Sequence, residues 1–265
     1  MRVRKRDGRL EEFREEKIIS TATRAGLDFE SARIVAERVK RRIYDGISTD
    51  EVLKMVLEEI EKFSKKVSTK YDLKSSLLRL GPAGYGFEKF VSALLRAHGY
   101  ATRLNELLKG KCVEHEIDVI AEREKRYLVE CKFHNTPIYT GIKEVLYSYA
   151  RFLDIAEISD FDHLWIFTNT KFSSEAIKFA KCRGIKLTGW RYPEGEGIEF
   201  LMESKGLYPI TILKISSREI EELLKNGIAF CNDLVREKEK VVEIFGNRGI
   251  EIVEGAKEVM ADYVG

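Results

Sequence analysis

The feature that most constrains the fold is a run of short apolar strands alternating with amphipathic helices between residues 84 and 190. The segment Leu128-Val129-Glu130-Cys131-Lys132-Phe133 is apolar enough for a buried strand but carries two charges. The period of two in a strand puts Leu128, Glu130 and Lys132 on one face and Val129, Cys131 and Phe133 on the other. A strand is expected upstream over 113–121, joined by the charged turn Glu122-Arg123-Glu124-Lys125-Arg126. A helix over 87–98, ended by Gly99, precedes this pair. A helix over 142–155, a strand over 164–168, a helix over 174–181 ended by Gly184 and a strand over 185–190 follow it. Strands separated by helices imply an α/β core around one sheet.

That core accounts for only part of the 265 residues, a length that suits one to three domains. Two polar stretches, 64–70 and 203–206, read as joints. They give the division 1–68, 69–205 and 206–265. The first 70 residues hold 18 basic and 14 acidic groups, and the last 60 hold 8 and 11. The formal net charge of +2 excludes a histone-like polycation, and 44% apolar residues exclude global disorder. No apolar stretch follows the N-terminal charges, so no secretory signal is expected. No window approaches the length of a membrane span. Cys112, Cys131, Cys182 and Cys231 show no Cys-x-x-Cys spacing. A cytoplasmic protein with reduced thiols is therefore expected.

The first domain begins with a basic hairpin. Arg2, Arg4, Lys5, Arg6 and Arg9 surround Asp7-Gly8, a dipeptide that accepts the positive φ angles of a tight turn. Helical periodicity follows at Ile18, Ala22 and Ala25, then at Ala32, Val35, Ala36 and Val39, then at Val52, Met55, Val56 and Ile60. No Gly-x-x-x-x-Gly-Lys-Ser/Thr loop is present, so this is not a P-loop NTPase. The string Val3-Arg4-Lys5-Arg6-Asp7-Gly8, then Phe13, Lys17 and Ile18, then Tyr44-Asp45-Gly46-Ile47-Ser48-Thr49, closely resembles the ATP-cone, a regulatory nucleotide-binding module, over residues 1–65. The resemblance implies that Lys5, Arg6 and Lys17 hold the phosphates of ATP or dATP. It also implies that Val3, Asp7, Glu11, Ile18 and Thr49 shape the rest of the pocket. Lysine ammonium groups and forked arginine donors suit a triphosphate. Nothing in the segment looks hydrolytic, so a sensor is expected.

In the core, pairing of the two charged strands would bring Asp118 close to Glu130 with Lys132 beside them. Strict alternation turns Ile117 and Val119 away from Asp118. Charges on central strands are costly unless paired or metal-bound. A salt bridge from Lys132 is one solution, and a divalent cation between two carboxylates is the other. The spacing Asp118-x11-Glu130-x-Lys132 resembles the PD-(D/E)xK nucleases. The context Gly86-Phe87-Glu88-Lys89-Phe90 and Phe167-Thr168-Asn169-Thr170-Lys171-Phe172 resembles Mrr-like restriction endonucleases over 84–190. Ile117 stands where that family has proline, and Glu114-His115-Glu116 replaces its glycine-rich turn.

The resemblance implies catalytic roles for Asp118, Glu130, Lys132 and Glu88. It implies Mg²⁺ (or Mn²⁺) held by Asp118, Glu130 and the carbonyl of Cys131. His115 and His134 flank the set. Residues 206–265 read as short helices that loosely resemble helix-hairpin-helix elements. Their net acidity fits a plain helical interaction module equally well.

The expected architecture is multidomain α+β and α/β: a helical ATP-cone with a β-hairpin, a restriction-endonuclease-like core with a mixed sheet, and a small C-terminal helical domain. The expected function is a nucleotide-regulated, metal-dependent nuclease acting on nucleic acid, DNA above RNA, as a homo-oligomer away from membranes. The alternative is a non-enzymatic, ATP-responsive regulator on an inactive nuclease fold.

Overall fold

The structure, a computed structural model, describes residues 1–5, 8–25, 27–62, 73–74, 76–80, 85–136 and 138–264. The chain forms two compact units, Met1–Leu73 with Asp262–Gly265, and Lys74–Ala261. The expected joint at 64–70 lies outside the described residues.

In the first unit, β1 (Arg2–Arg4) and β2 (Leu10–Glu12) form an antiparallel hairpin in which Val3 pairs with Glu11. Gly8 takes a φ of 84° in the turn, a value that costs glycine no Cβ clash. Helices α1 (Glu15–Arg24), α2 (Phe29–Lys40) and α3 (Thr49–Glu61) follow. Asp28 caps α2 by accepting the Ser31 N–H at 2.9 Å. Ser48 and Glu51 cap α3 reciprocally, and a cap of this kind contributes about 1 kcal/mol. The helices bury Ala22, Val35, Ala36, Val39 and Ile60 in one cluster. The free edge of β1 is occupied by the loop before α3. The Arg4 N–H donates to the Ile47 carbonyl and the Gly46 N–H to the Arg2 carbonyl, both at 2.8 Å. Two sequence segments forty residues apart, the basic strand and the Tyr44–Thr49 string, are thus laced together.

The second unit is built on a five-stranded mixed sheet. Helix α4 (Tyr85–Ala97) leads into β3 (Ala101–Lys109), β4 (Glu114–Glu122) and β5 (Arg126–Lys132), which pair antiparallel. Next come β6 (Tyr139–Thr140), α5 (Ile142–Ala156), β7 (His163–Thr168), β8 (Lys171–Phe172), α6 (Ser174–Arg183) and β9 (Lys186–Thr188). Strands β5, β7 and β9 run parallel, giving the order β3-β4-β5-β7-β9, while β6 and β8 pair apart from that sheet. Gly184 ends α6 with a φ of 67°. Helices α5 and α6 cover one face, where Leu128, Leu164 and Ile166 meet Val145, Ile155, Ala176 and Ala180. Phe87 of α4 packs on Phe133, and Phe90 packs on Phe230.

Strand β3 was not expected. Its edge position leaves alternate residues exposed, and Arg103, Glu106 and Lys109 hide its apolar content. Further helices among the described residues are α7 (Ile198–Glu203), α8 (Ser217–Lys225), α9 (Cys231–Arg236), α10 (Lys238–Phe245) and α11 (Asn247–Val264). Ser216 and Glu219 cap α8, and Arg248 of α11 bonds Glu219 at 2.7 Å.

Candidate active site

The pairing of β4 with β5 runs from the turn as far as Val119↔Val129. Beyond it the Cys131 N–H no longer meets a backbone carbonyl of β4. It donates to Oδ2 of Asp118 at 2.6 Å. On its other side β5 stays paired with β7 through Lys132↔Thr168. The sheet is therefore forked at Asp118, and the three residues Glu130, Cys131 and Lys132 are held from the β7 side.

Strict alternation fails at the fork. Ile117 packs in the same buried cluster as Ile120, and His115 reaches Asp154 of α5 at 2.8 Å. Odd-numbered residues face α5 before Asp118, and even-numbered ones do so after it. The expectation that Ile117 and Val119 share a face is thus corrected. The slip coincides with Asn105 on β3, whose φ of 52° lies in the left-handed region that asparagine tolerates. Its side-chain amide donates to Oε2 of Glu88 at 3.0 Å, which ties α4 to the fork.

Glu130 is almost fully buried, at 5% exposure. Lys132 Nζ lies 2.5 Å from its Oε1. Arg151 of α5 donates from Nη1 to both its oxygens, at 2.8 and 3.1 Å. Arg151 also donates from Nη2 to the Glu116 carbonyl. Burial, and then the nearby Glu130 charge, push the Asp118 carboxyl up to about 7. Burial also raises Glu88, with Glu116 and Glu130 adding to the effect and the Asn105 hydrogen bond opposing it. The Cys131 thiol is pushed far up by burial and then by Asp118, Glu88 and Glu130. The fork thus holds more acidic groups than its two cations balance, and crowding favours their protonated forms.

The flanking histidines are placed elsewhere. His115 serves Asp154, which also accepts the backbone N–H groups of Cys112 and Val113 and so fastens the β3–β4 connection to α5. The imidazole of His134 meets Thr140 at 2.9 Å, and its backbone exchanges bonds with Asn169. Among the described residues no group of three or more His, Cys, Asp or Glu side chains converges tightly enough to enclose a metal ion. Asp118, Glu130 and Glu88 are neighbours through their fields rather than a closed cage.

Arg151 and Asn105 escaped the sequence reading. A signal for Arg151 did exist: it lies three residues after Ser148 and four before Ile155, both buried on the sheet-facing side of α5. A charge at that spacing on an apolar face requires a partner.

In the first unit, Lys5 and Lys17 converge on one carboxylate. Lys5 Nζ lies 2.8 Å from Glu11 Oε2, and Lys17 bonds Oε1. These lysines, Lys17 first, hold Glu11 down at about 2. Thr49 opens α3 beside the strand edge. Val3 and Ile18 are both buried in the helical cluster, beneath the charged surface. Arg6 and Asp7 lie outside the described residues.

Comparison with known proteins divides the chain in the same order. The family model for the ATP cone domain matches residues 1–73, that for a restriction endonuclease matches 82–189, and the AF1548-like C-terminal model matches 208–258. An uncharacterized protein of Archaeoglobus fulgidus is 54% identical over 174 residues, covering 64% of this chain and 99% of the relative. A second from the same organism is 58% identical over 41 residues, covering 16% of this chain and 87% of its own length. The crystal structure of the protein of unknown function AF1548 superposes with a TM-score of 0.63 at 54% identity, covering 67% of this chain and 98% of that one.

Proposed function

The chain belongs to the AF1548-like family, with an ATP-cone domain ahead of a restriction endonuclease domain, and from that membership we propose a nucleotide-regulated, metal-dependent nuclease. Its substrate is nucleic acid, DNA above RNA, and it works in the cytoplasm as a homo-oligomer. We assign nucleotide sensing to 1–68, hydrolysis to 69–205 and an interaction role to 206–265. No helix among the described residues is long and apolar enough to cross a membrane.

The observation that carries the reading is the surplus of buried acid at the fork, with Asp118 pushed up to about 7. Crowded carboxyls that ionise readily only when a cation shares them are hard oxygen donors suited to Mg²⁺ or Mn²⁺. Asp118, Glu130 and the Cys131 carbonyl would hold the ion, with Glu88 as an outer acid. When bound, the ion supplies Lewis acidity and makes water a better nucleophile near neutral pH. The chain's own groups do the rest. Lys132 Nζ orients the attacking water and opposes negative charge developing on the phosphorus oxygens. The Cys131 N–H fixes the direction of the Asp118 carboxylate. Arg151 keeps Glu130 in place until a cation shares it.

The Arg151–Glu130 pair also favours a second reading. An acid already satisfied by Arg151 and Lys132 can be a purely structural ion pair in a non-enzymatic, ATP-responsive scaffold. One experiment separates the two. Duplex, single-stranded and branched DNA and RNA are incubated with Mg²⁺ or Mn²⁺, with and without ATP or dATP. Cleavage lost in Asp118→Asn supports the nuclease, whereas no cleavage of any substrate supports the scaffold.

A further inference from the structure

Helix α5 buries Val145, Ser148 and Ile155 on the side that faces the sheet. Its opposite face is apolar as well, where a helix with one side in water ordinarily carries polar residues. Leu146 is 45% exposed, Tyr147 63% and Leu153 46%, and Ala150 lies exposed between them. Two more exposed apolar residues border this face. One is Val113, whose N–H donates to Asp154 of α5 at 3.3 Å, and the other is Ile158, just past the helix end. Exposed apolar residues scattered singly are ordinary, whereas a contiguous patch marks an interaction surface. At about 100° per residue, Lys143, Leu146, Tyr147, Ala150, Leu153 and Glu157 fall on one stripe.

The order of residues along the stripe says what covers it. Ala150 is the midpoint. Lys143 lies seven residues before it and Glu157 seven after it, each about 10 Å away at a helical rise of 1.5 Å per residue. Both of these charged residues are exposed. Tyr147 and Leu153 stand three residues to either side of the midpoint. Read backwards, the stripe is the same apolar pattern with its end charges exchanged. A twofold axis at Ala150 therefore brings Lys143 of each copy to Glu157 of the other, and Tyr147 to Leu153. The small central side chain lets the two helices approach closely. An unrelated partner needs no such symmetry, but a second copy does, because an interface between identical faces must complement itself. Glu157 already bonds Lys111, yet both side chains are more than half exposed, and a carboxylate has room for a second donor. Glu144, the other acid near the Lys143 end, lies off the stripe and accepts the Gly141 N–H at 3.0 Å.

We infer that the outer face of α5 is the contact between two copies of this chain, packed antiparallel about a twofold axis at Ala150. The inference rests on the homo-oligomer proposed above, to which it gives a definite surface, and not on hydrolysis. The Tyr147 ring lies 5.7 Å from the Arg151 guanidinium, so the contact adjoins the residue that holds Glu130.

The test is analytical ultracentrifugation of the full-length protein without nucleotide, across the micromolar range. It needs no substrate, so its failure is distinct from a failure of the nuclease reading. One helix from each copy makes a contact at the small end of specific interfaces, so a reversible dimer is expected. Ala150→Glu sets two like charges together at the axis and should weaken the dimer at least about tenfold. Its position is exposed, so circular dichroism should show the fold unchanged. Lys143→Glu and Glu157→Lys should each weaken the dimer by about threefold, because the exposed pair occurs twice in the contact. Lys143→Glu combined with Glu157→Lys restores opposite charges across the axis and should recover most of the loss. A wild type that stays monomeric throughout overturns the inference, whatever else covers the stripe. So does a dimer that a folded Ala150→Glu leaves unchanged. A combined charge exchange that recovers nothing overturns the antiparallel arrangement, and the inference with it.

Discussion

Glu11 and Asp118 are both acids placed beside lysines on paired strands, yet their carboxyls move in opposite directions. Glu11 is held down at about 2 by Lys17 and Lys5, while Asp118 is pushed up to about 7 by burial and by Glu130. The hairpin acid lies in water between two cations. The fork acid lies in the sheet beside other acids. The first region has cations to spare for an anion, and the second has carboxylates to spare for a cation. A residue's neighbours within a few ångströms and its access to water, rather than its type, decide which ligand it awaits.

The largest test is chemical. Asp118→Asn, Glu130→Gln and Lys132→Ala should each lower cleavage by roughly 10²–10⁴-fold with the fold intact. Wild-type rates in all three would remove hydrolysis from the fork.

The next effect is on stability. An acid whose folded pKa is raised favours the folded state while protonated, so that contribution is whole below 3.8 and lost as pH rises to about 7. Without divalent ions, Asp118→Asn should become more stable than wild type as pH climbs from 4 to 8. The limit is about 4 kcal/mol, set by the full shift at 1.36 kcal/mol per unit. Added Mg²⁺ should stabilise the wild type more than the variant. A pH-independent difference in melting temperature would break the contrast with Glu11. The sign there is opposite, because Glu11's contribution is present above 4.5 and fades as pH falls towards about 2.

On the hairpin side, calorimetry with ATP should show Lys5→Ala and Lys17→Ala each losing about 1.5–3 kcal/mol of affinity. Arg6→Ala is expected to behave alike. Steady ATP turnover would contradict a sensor.

The smallest expected effect is coupling. ATP or dATP should change the cleavage rate or the sedimentation profile of the full chain by about fivefold, near the lower end of allosteric coupling. It should change neither in a protein truncated to begin at Tyr71. Bound nucleotide without either response would leave the two regions independent.

Much of this was legible before any coordinates. The strands β4, β5, β7 and β9 carry apolar runs that only a buried sheet explains. Glu130 and Lys132 share a face because side chains alternate. Strand β3 was hidden by its charged, half-exposed edge, and β6 and β8, at two residues each, are too short to carry a period. The slip at Asp118 could not be read either, since it coincides with a left-handed backbone at Asn105, thirteen residues away on another strand. Arg151 illustrates the same limit, because its partner Glu130 is 21 residues distant and on another element. Local periodicity locates a face, and only tertiary pairing says what that face meets.

The bond from the Cys131 amide to the Asp118 side chain gives the fork a built-in reporter. An amide hydrogen-bonded to a carboxylate resonates and exchanges differently from one facing a neutral carboxyl. The nuclear magnetic resonance signal of this single amide should therefore titrate with Asp118 and shift when a cation shares its charge. The electrical state of the candidate centre can be followed in solution from one backbone proton, with no substrate, no turnover and no label on the site itself.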